Sequence, residues 1–440
     1  MDQLAKDMMS TSEEKDGVAD TKKRQLRHLR DAQTILSEKP HVENQLISEE
    51  KTVTSVTPVH LNPVHLGDLT VRTPVVLSPM AGVTNWPFRV ICEQYGEDGL
   101  YVAEMVTARA LIAHNPKALR LVRFAPSEKI RSLQLYGVNP DAIEKAARMV
   151  MDNHWADHID LNFGCPVPKI TRRGGGSALP WKTDLFAEVL KRVVTVCSEY
   201  QVPVTAKIRV GIDHDHETFL EAGHIAQEEG VAAVTLHART TAEYYGGHSD
   251  WSRIAELKQA LNIPVFGNGD IWSADDALDM VRQTQCDGIA IGRGCQGRPW
   301  LFADIKNAFS GNSDRVNPTL KDVTDTILNH VMMLVDFYDG DEHMAVHDIR
   351  KHIAWYLKGF PVGGEIRRQF MTSESIADIT KVVDQLDLSA HMLPEMVNKP
   401  RGRIKYQKKV HVPYGWLDSR STSKEEREIL FGNDPMDASY

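Results

Sequence analysis

Three short stretches of this sequence set reactive side chains where chemistry can use them. In D-L-N-F-G-C-P-V-P-K-I-T-R-R-G-G-G-S-A-L, residues 160–179, Cys165 lies between a glycine and a proline at the end of an apolar run. Lys169, Arg172, Arg173 and the glycines Gly174 to Gly176 follow it. A thiol here is either a small buried filler or a reactive group on a turn, and the turn residues and basic loop favour the second. Lys207 stands inside T-A-K-I-R-V, an apolar setting in which a cation needs a partner. G-N-G-D (267–270) and I-G-R-G (291–294) are glycine turns that close two further apolar runs. Bare backbone N–H groups on such turns can cradle a phosphate, and Arg293 adds charge.

These residues are far apart in sequence, so a frame must gather them. From about residue 58, Val/Ile/Leu runs alternate with longer amphipathic stretches. The runs at 74–80, 100–106, 130–137, 158–164, 202–210, 232–238, 263–269 and 287–293 read as strands. Asn139-Pro140 and Ser273 supply helix starts between them. Eight strands alternating with helices predict a (β/α)8 TIM barrel, an α/β fold, over residues 58–315. Residues 1–57 read as an extension, partly helical or disordered, and 316–395 as a small C-terminal helical domain. Residues 396–440 read as a basic tail carrying Lys399, Arg401, Arg403, Lys405, Lys408 and Lys409.

Barrels of this kind keep their chemistry at the carboxyl ends of the strands. Here those ends hold Ser78 to Ala81, Gln134, Asn162 with Cys165, Lys207 with Arg209, His237 with Arg239, Asn268 to Asp270, and Gly292 with Arg293. The two glycine turns follow strands seven and eight, the usual seat of a cofactor phosphate. Lys207 then has two readings. It pairs with Asp160 or Asp270, or it faces the N1–C2=O edge of a flavin and stabilises the reduced anion. Gln134 reaches the other polar edge of such a ring, and His237 holds the ring or the phosphate.

The net charge of −9 excludes a globally basic nucleic-acid binder, so any nucleic-acid contact needs a local basic patch. The five cysteines contain no C-x-x-C pair, which argues against a disulfide framework or a cysteine zinc site and for a cytoplasmic protein. No apolar stretch reaches the roughly 18 residues of a membrane span. D-H-D-H (213–216) and the pair His343 and His347 lack a full ligand set, so no metal is expected.

SPMAGVTNWPFR, LQLYG, DLNFGCPVPKITRRGGGSAL, AKIRVG, HARTTAEYYGGHSDW, GNGDIWSADDA and IGRGCQGRPWLF follow in this order. Together they resemble the tRNA-dihydrouridine synthases, FMN-dependent enzymes that reduce uridine in tRNA, over about residues 58–395. The zinc finger that some eukaryotic members carry has no counterpart. The resemblance implies an FMN site with Pro79, Met80 and Ala81 beside the isoalloxazine, together with Gln134, Lys207 and His237. Asn268, Gly269, Asp270, Gly292 and Arg293 would take the ribityl and phosphate end, and NADPH or NADH would reduce the flavin. Cys165 falls on the family's proton donor. A thiol with an ordinary pKa of about 8.5 is mostly protonated at neutral pH and can still release its proton.

Neighbouring cations lower a thiol's pKa. Lys169, Arg172 and Arg173 are therefore expected to face RNA phosphates, with the glycine loop mobile enough to swing Cys165 over the base. Arg239 and Tyr244 are expected at the way in, since the base must leave the tRNA stack to reach the barrel. Arg350, Lys351, Trp355, Lys358 and Arg367 are expected to bind tRNA from the helical region, in a monomeric enzyme. Two other readings stay open: an FMN-dependent dehydrogenase of a free pyrimidine, and a non-catalytic tRNA-binding flavoprotein.

Overall fold

A computed structural model of the chain describes residue 59 and residues 61–402 and 409–432. The extension expected at 1–57 and the cations Arg403, Lys405 and Lys408 lie outside these residues. A hairpin comes first, β1 (Val64–Leu66) against β2 (Leu69–Val71). Nine parallel segments follow: β3 (Val75–Leu77), β4 (Leu100–Tyr101), β5 (Val106–Thr107), β6 (Ser132–Tyr136), β7 (His158–Phe163), β8 (Val204–Arg209), β9 (Ala233–His237), β10 (Val265–Asn268) and β11 (Gly288–Ile291).

The sheet runs β4-β3-β11-β10-β9-β8-β7-β6-β5. Its two edges belong to one stretch of chain. β4 pairs with β3, Val102 bridges to Ser132, and β5 pairs with β6. The sheet therefore closes on itself, and the (β/α)8 expectation holds. The second strand is interrupted after Tyr101 instead of running unbroken over 100–106.

Local chemistry starts the surrounding helices. Asn139 accepts the N–H groups of Asp141 and Ala142, with Pro140 in the first helical turn of Pro140–Asp152. Ser273 and Asp276 form a capping box at the start of Ala274–Thr284.

Successive strand residues point to opposite faces. On β7, Ile159, Leu161 and Phe163 join the apolar layer under the helices, alongside Leu185, Val189 and Val193. His158, Asp160 and Asn162 are left to the inside. β8 repeats this with Ala206 and Ile208 outward and Thr205, Lys207 and Arg209 inward. At the amino-terminal end, Val64, Leu66 and Val71 of the hairpin pack with Val76, Leu100, Val102, Phe266 and Ala290. The sequence reading missed this hairpin because each strand is only three residues long.

Beyond the barrel, helices Leu320–Phe337, Glu342–Tyr356, Gly364–Thr372 and Ile376–Val383 share a core of Ile327, Val331, Ile349, Ile353, Phe370 and Ile379. The segment read as a basic tail is partly built into the fold. Arg401 is buried and donates to the Trp355 and Gln296 carbonyls at 2.9 and 3.4 Å. Further on, Trp416 and Leu430 are buried in the barrel's outer apolar layer. Charge dominates the composition of this segment, and the few apolar anchors that decide its path were hidden by it.

Arg89, the last residue of the SPMAGVTNWPFR motif, has a structural task. Its buried guanidinium holds Glu128 at 2.6 and 3.1 Å and the Thr84 carbonyl at 2.9 Å. Arg89→Met leaves Glu128 buried without its partner. It is expected to destabilise the chain by about 3–5 kcal/mol, measured as a lower urea midpoint.

Candidate active site

A ladder of hydrogen bonds climbs the barrel interior along β6, β7 and β8. His158 contacts Ser132 Oγ at 2.8 Å and Thr205 Oγ1 at 3.0 Å. Thr205 gives its one proton to Asp160 at 2.6 Å. His158 Nε2 must therefore be the donor to Thr205, and Nδ1 accepts from Ser132. Burial holds this imidazole neutral, with its pKa pulled down to about 3.

Gln134 Nε2 donates to the other Asp160 oxygen at 2.7 Å, and Asn162 Nδ2 donates to Gln134 Oε1 at 3.0 Å. Asn162 Oδ1 accepts the N–H groups of Gly164 and Cys165 at 3.1 and 3.0 Å. The ladder thus fixes the backbone of the cysteine turn. Burial pushes the Asp160 carboxyl up to about 6, against the pull of Thr205, Gln134 and Lys207.

Lys207 takes neither of the ion pairs considered for it. Nζ donates to Asn268 Oδ1 at 2.9 Å, and Asn268 in turn donates to the Ala290 carbonyl at 2.6 Å. Burial, then the charge of Arg209, pulls its pKa down to about 7, with Asp160 opposing. Arg209 lies two residues on, on the same inward face, and donates to the carbonyls of Gly164, Thr240 and Tyr244 at 2.8, 2.9 and 2.9 Å. Arg239 holds Asp270 at 2.7 Å and the Gly246 and Gly247 carbonyls at 2.9 Å. Arg293 lies 3.5 Å from Asp270, with its guanidinium over the rings of Trp272 and Tyr245 at 5.0 and 5.1 Å. Burial first, then these four cations, pull the His237 pKa well below its ordinary value, so its ring is neutral.

Neither Lys207 nor Arg209 has a carboxylate within ion-pair distance among the described residues, so this mouth suits an anion. Two further observations agree. Ser78 Oγ is buried without a hydrogen-bond partner, in a cavity lined also by Pro79, Asp160, Lys207 and Thr235. A Cβ added to Gly292 would meet nothing nearer than Ser78 Cβ at 3.8 Å and Met80 Sδ at 3.9 Å, so the backbone there is open. Met80 is half-buried and Ala81 exposed at the rim. Gly269 has a φ of +132°, and a Cβ there would come within 2.7 Å of Ser249. These residues fit a phosphate-bearing cofactor with an electron-rich edge.

Asp270 departs from its expected role. Its carboxylate accepts from Arg239 and from Ser249 N at 2.7 Å, so it orients cations instead of meeting an anion.

Cys165 is half-buried at the end of β7. Burial raises its pKa, opposed by the Val167 N–H and the charge of Arg209. The cation that acts on the thiol is thus Arg209, while Lys169 and Arg172 stand exposed. The mobile glycine loop is corrected: Gly174, Gly175 and Gly176 are all buried. A Cβ on Gly174 would sit 2.6 Å from Trp416 Cη2, and one on Gly175 would sit 2.8 Å from the Tyr136 ring.

Several of the cations expected at the RNA make hydrogen bonds within the protein. Arg239 is buried, its donors taken by Asp270 and two carbonyls. Arg350 donates to the Ser373 carbonyl at 2.6 Å, Lys358 to Pro400 at 2.6 Å, and Arg367 to Leu357, Val362 and Phe360 at 2.8, 3.0 and 3.1 Å. Trp355 is half-buried against the His352 ring, 5.2 Å away. Lys351 does reach the rim. It pairs with Asp348, and its Nζ lies 3.9 Å from where a Gly82 Cβ would stand. Tyr244, half-buried at a φ of 56°, meets Tyr245 edge-on at 4.6 Å. Sequence reasoning placed Ser78 and Arg209 at strand ends without a specific role and gave none to Thr205 or Trp272. The alternate-residue spacing from Lys207 was the available signal for Arg209.

Polar faces turned inward, with reactive groups held at the carboxyl ends of the strands, are how parallel α/β-barrel enzymes are built. This chain is one of them, an oxidoreductase. The family model described as dihydrouridine synthase (Dus) matches residues 76–391, and the chain belongs to that family. A "probable tRNA-dihydrouridine synthase" of Mycobacterium tuberculosis is 47% identical over 378 residues, covering 84% of this chain and 95% of the relative. "tRNA-dihydrouridine synthase B" of Xanthomonas campestris pv. campestris is 38% identical over 302 residues, covering 69% of this chain and 89% of the relative. A solved old yellow enzyme homologue from Zymomonas mobilis superposes with a TM-score of 0.43 at 12% identity, over 59% of this chain and 94% of that one.

Because the thiol is held above its ordinary pKa, iodoacetamide modification of Cys165 is expected to rise with pH about a midpoint higher than that of a free cysteine. Peptide mass spectrometry across a pH series measures this. A midpoint below the free-thiol value contradicts the assignment.

Proposed function

We propose that this chain reduces the C5–C6 double bond of uridines in tRNA to 5,6-dihydrouridine, with FMN as cofactor and NADPH or NADH as reductant. The observation that carries this reading is a half-buried thiol, its pKa raised by burial, at the mouth of a polar, cationic well. Lys207, Gln134 and His237 would hold the ring of the flavin, with Pro79, Met80 and Ala81 beside it. Asn268, Gly269, Gly292 and Arg293 would take the ribityl and phosphate end, and Asp270 would set the direction of Arg293. When bound, a flavin supplies hydride transfer to the uracil.

The chain's own residues do the rest. Lys207 places positive charge where electron density gathers on the cofactor edge. Cys165 Sγ gives its proton to uracil C5, and burial keeps that proton in place until the base arrives. Arg209, close to the thiol, favours the thiolate left behind. Lys169, Arg172 and Arg173 supply phosphate contacts beside the cysteine turn, Tyr244 lines the way in, and Lys351 meets the RNA from the helical region. The five cysteines are free, and no helix among the described residues is long and apolar enough to cross a membrane. Free thiols suit the reducing cytoplasm.

Cys165→Ala is expected to cut dihydrouridine formation by about 10²–10⁴-fold while flavin stays bound. Mass spectrometry of co-expressed tRNA measures it, and undiminished dihydrouridine refutes the catalytic role. Turnover of a free pyrimidine with none on tRNA favours the dehydrogenase reading instead.

Lys207 gives a pH test. Its pKa in the cofactor-free protein is about 7, and an anionic partner favours the charged form. Flavin affinity is therefore expected to be constant at low pH and to weaken as pH rises through about 7. Fluorescence titration of the apoprotein should show this slope, and Lys207→Met should flatten it.

A further inference from the structure

We propose that the carboxyl-terminal segment, residues 409–432, is a strap that sets the position of Cys165, with Trp416 as its positioning residue. This rests on the reading of Cys165 as the acid. The segment lies outside the 76–391 match to the family model, and none of its residues belongs to the site described above.

The strap grips the chain that follows the cysteine. Trp416 is 1% exposed, and its Nε1 donates to the Ala178 carbonyl at 3.0 Å. Its ring and Leu430 fill the space beside Gly174, where a Cβ would come within 2.6 and 3.1 Å of them. Lys182 is fully buried. Its Nζ donates to the Ser421 carbonyl and Glu426 at 3.1 Å each and lies 5.0 Å from the Trp416 ring. Thr183 N donates to the Arg420 carbonyl at 2.8 Å, and Asp184 accepts from Thr422 Oγ1 at 2.7 Å. Arg427 bridges Glu188 and Asp184 at 2.6 and 3.1 Å.

These contacts reach the thiol residue in two steps. Ala178, held by Trp416, follows Ser177. Ser177 gives both its N–H and its hydroxyl to the Cys165 carbonyl, at 3.1 Å each. Thr241 Oγ1 donates to Ser177 Oγ at 2.7 Å, so the serine is held from the barrel side as well. On the other side of Cys165, Asn162 holds its N–H. The cysteine is therefore fixed at its N–H by the barrel ladder and at its carbonyl by a turn that the strap covers. Without the strap, Gly174 would lose its cover, and glycine has the widest backbone freedom of any residue. The thiol would then sample many positions over the mouth.

The test uses full-length Trp416→Ala and Trp416→Phe proteins. Four quantities are compared with wild type: flavin content, KM for tRNA, the rate of iodoacetamide modification of Cys165, and single-turnover reduction at saturating tRNA. Trp416→Ala is expected to raise the modification rate and lower the single-turnover rate, each by about tenfold or more, with KM for tRNA and flavin content little changed. Trp416→Phe, which refills most of the ring's space, should recover most of both.

A folded Trp416→Ala protein with wild-type modification and turnover rates overturns the proposal. So does one that loses only thermal stability or flavin. If Trp416→Ala does not fold, Leu430→Ala removes a smaller contact with the same turn and is judged by the same outcomes. Failure of the acid reading shows as an active Cys165→Ala enzyme. Failure of the strap shows as an unchanged Cys165 modification rate, so the two are told apart.

Discussion

Inside a closed barrel, a polar group must find its partner within the barrel, because no water competes for it and an unmet donor or acceptor costs about 1–3 kcal/mol. That constraint explains the arrangement on β6, β7 and β8. His158, Thr205, Asp160, Gln134 and Asn162 each have one satisfactory set of partners, and each choice fixes the next. The direction of the chain of bonds decides which nitrogen of His158 carries its proton. It also decides which end of the Asn162 amide meets the cysteine turn: Nδ2 is turned to Gln134, so Oδ1 accepts from the turn. A scaffold of this kind is rigid because a single broken link leaves buried groups unpaired on both sides.

Charge is distributed by the same logic. Lys207 finds an amide oxygen, not a carboxylate, and so keeps its positive charge available to a ligand. The Asp270 carboxylate, which would repel a phosphate, is held by Arg239 instead. The thiol escapes the cations that flank it in sequence because Lys169 and Arg172 point to solvent. Proximity along the chain and proximity in space part company at this turn.

The barrel was legible in the sequence because eight apolar runs recur with helix starts between them, and because glycine turns punctuate the last two. The reactive residues were legible because strand ends are where such barrels expose side chains. Arg209, Ser78 and Thr205 were harder to see. Their roles depend on alternation and on the register Asp160 against Thr205 and Asn162 against Lys207, which no single strand discloses. The hydrogen bonds of the helical-region cations were not legible either. Arg350 and Lys358 follow helical spacing with Lys351, but their bonds to the Ser373 and Pro400 carbonyls come from distant segments of chain. Trp416 was overlooked inside a segment whose composition says charge. Its importance comes from one indole seated against Gly174, far away in the sequence.

The β1–β2 hairpin has a further bearing on how the barrel is used. Val64, Leu66 and Val71 stopper the amino-terminal end with an apolar plug. Among the described residues, the polar well above it opens at the carboxyl ends of the strands. On the proposed reading, the nicotinamide donor and the RNA base both approach the bound cofactor from that end.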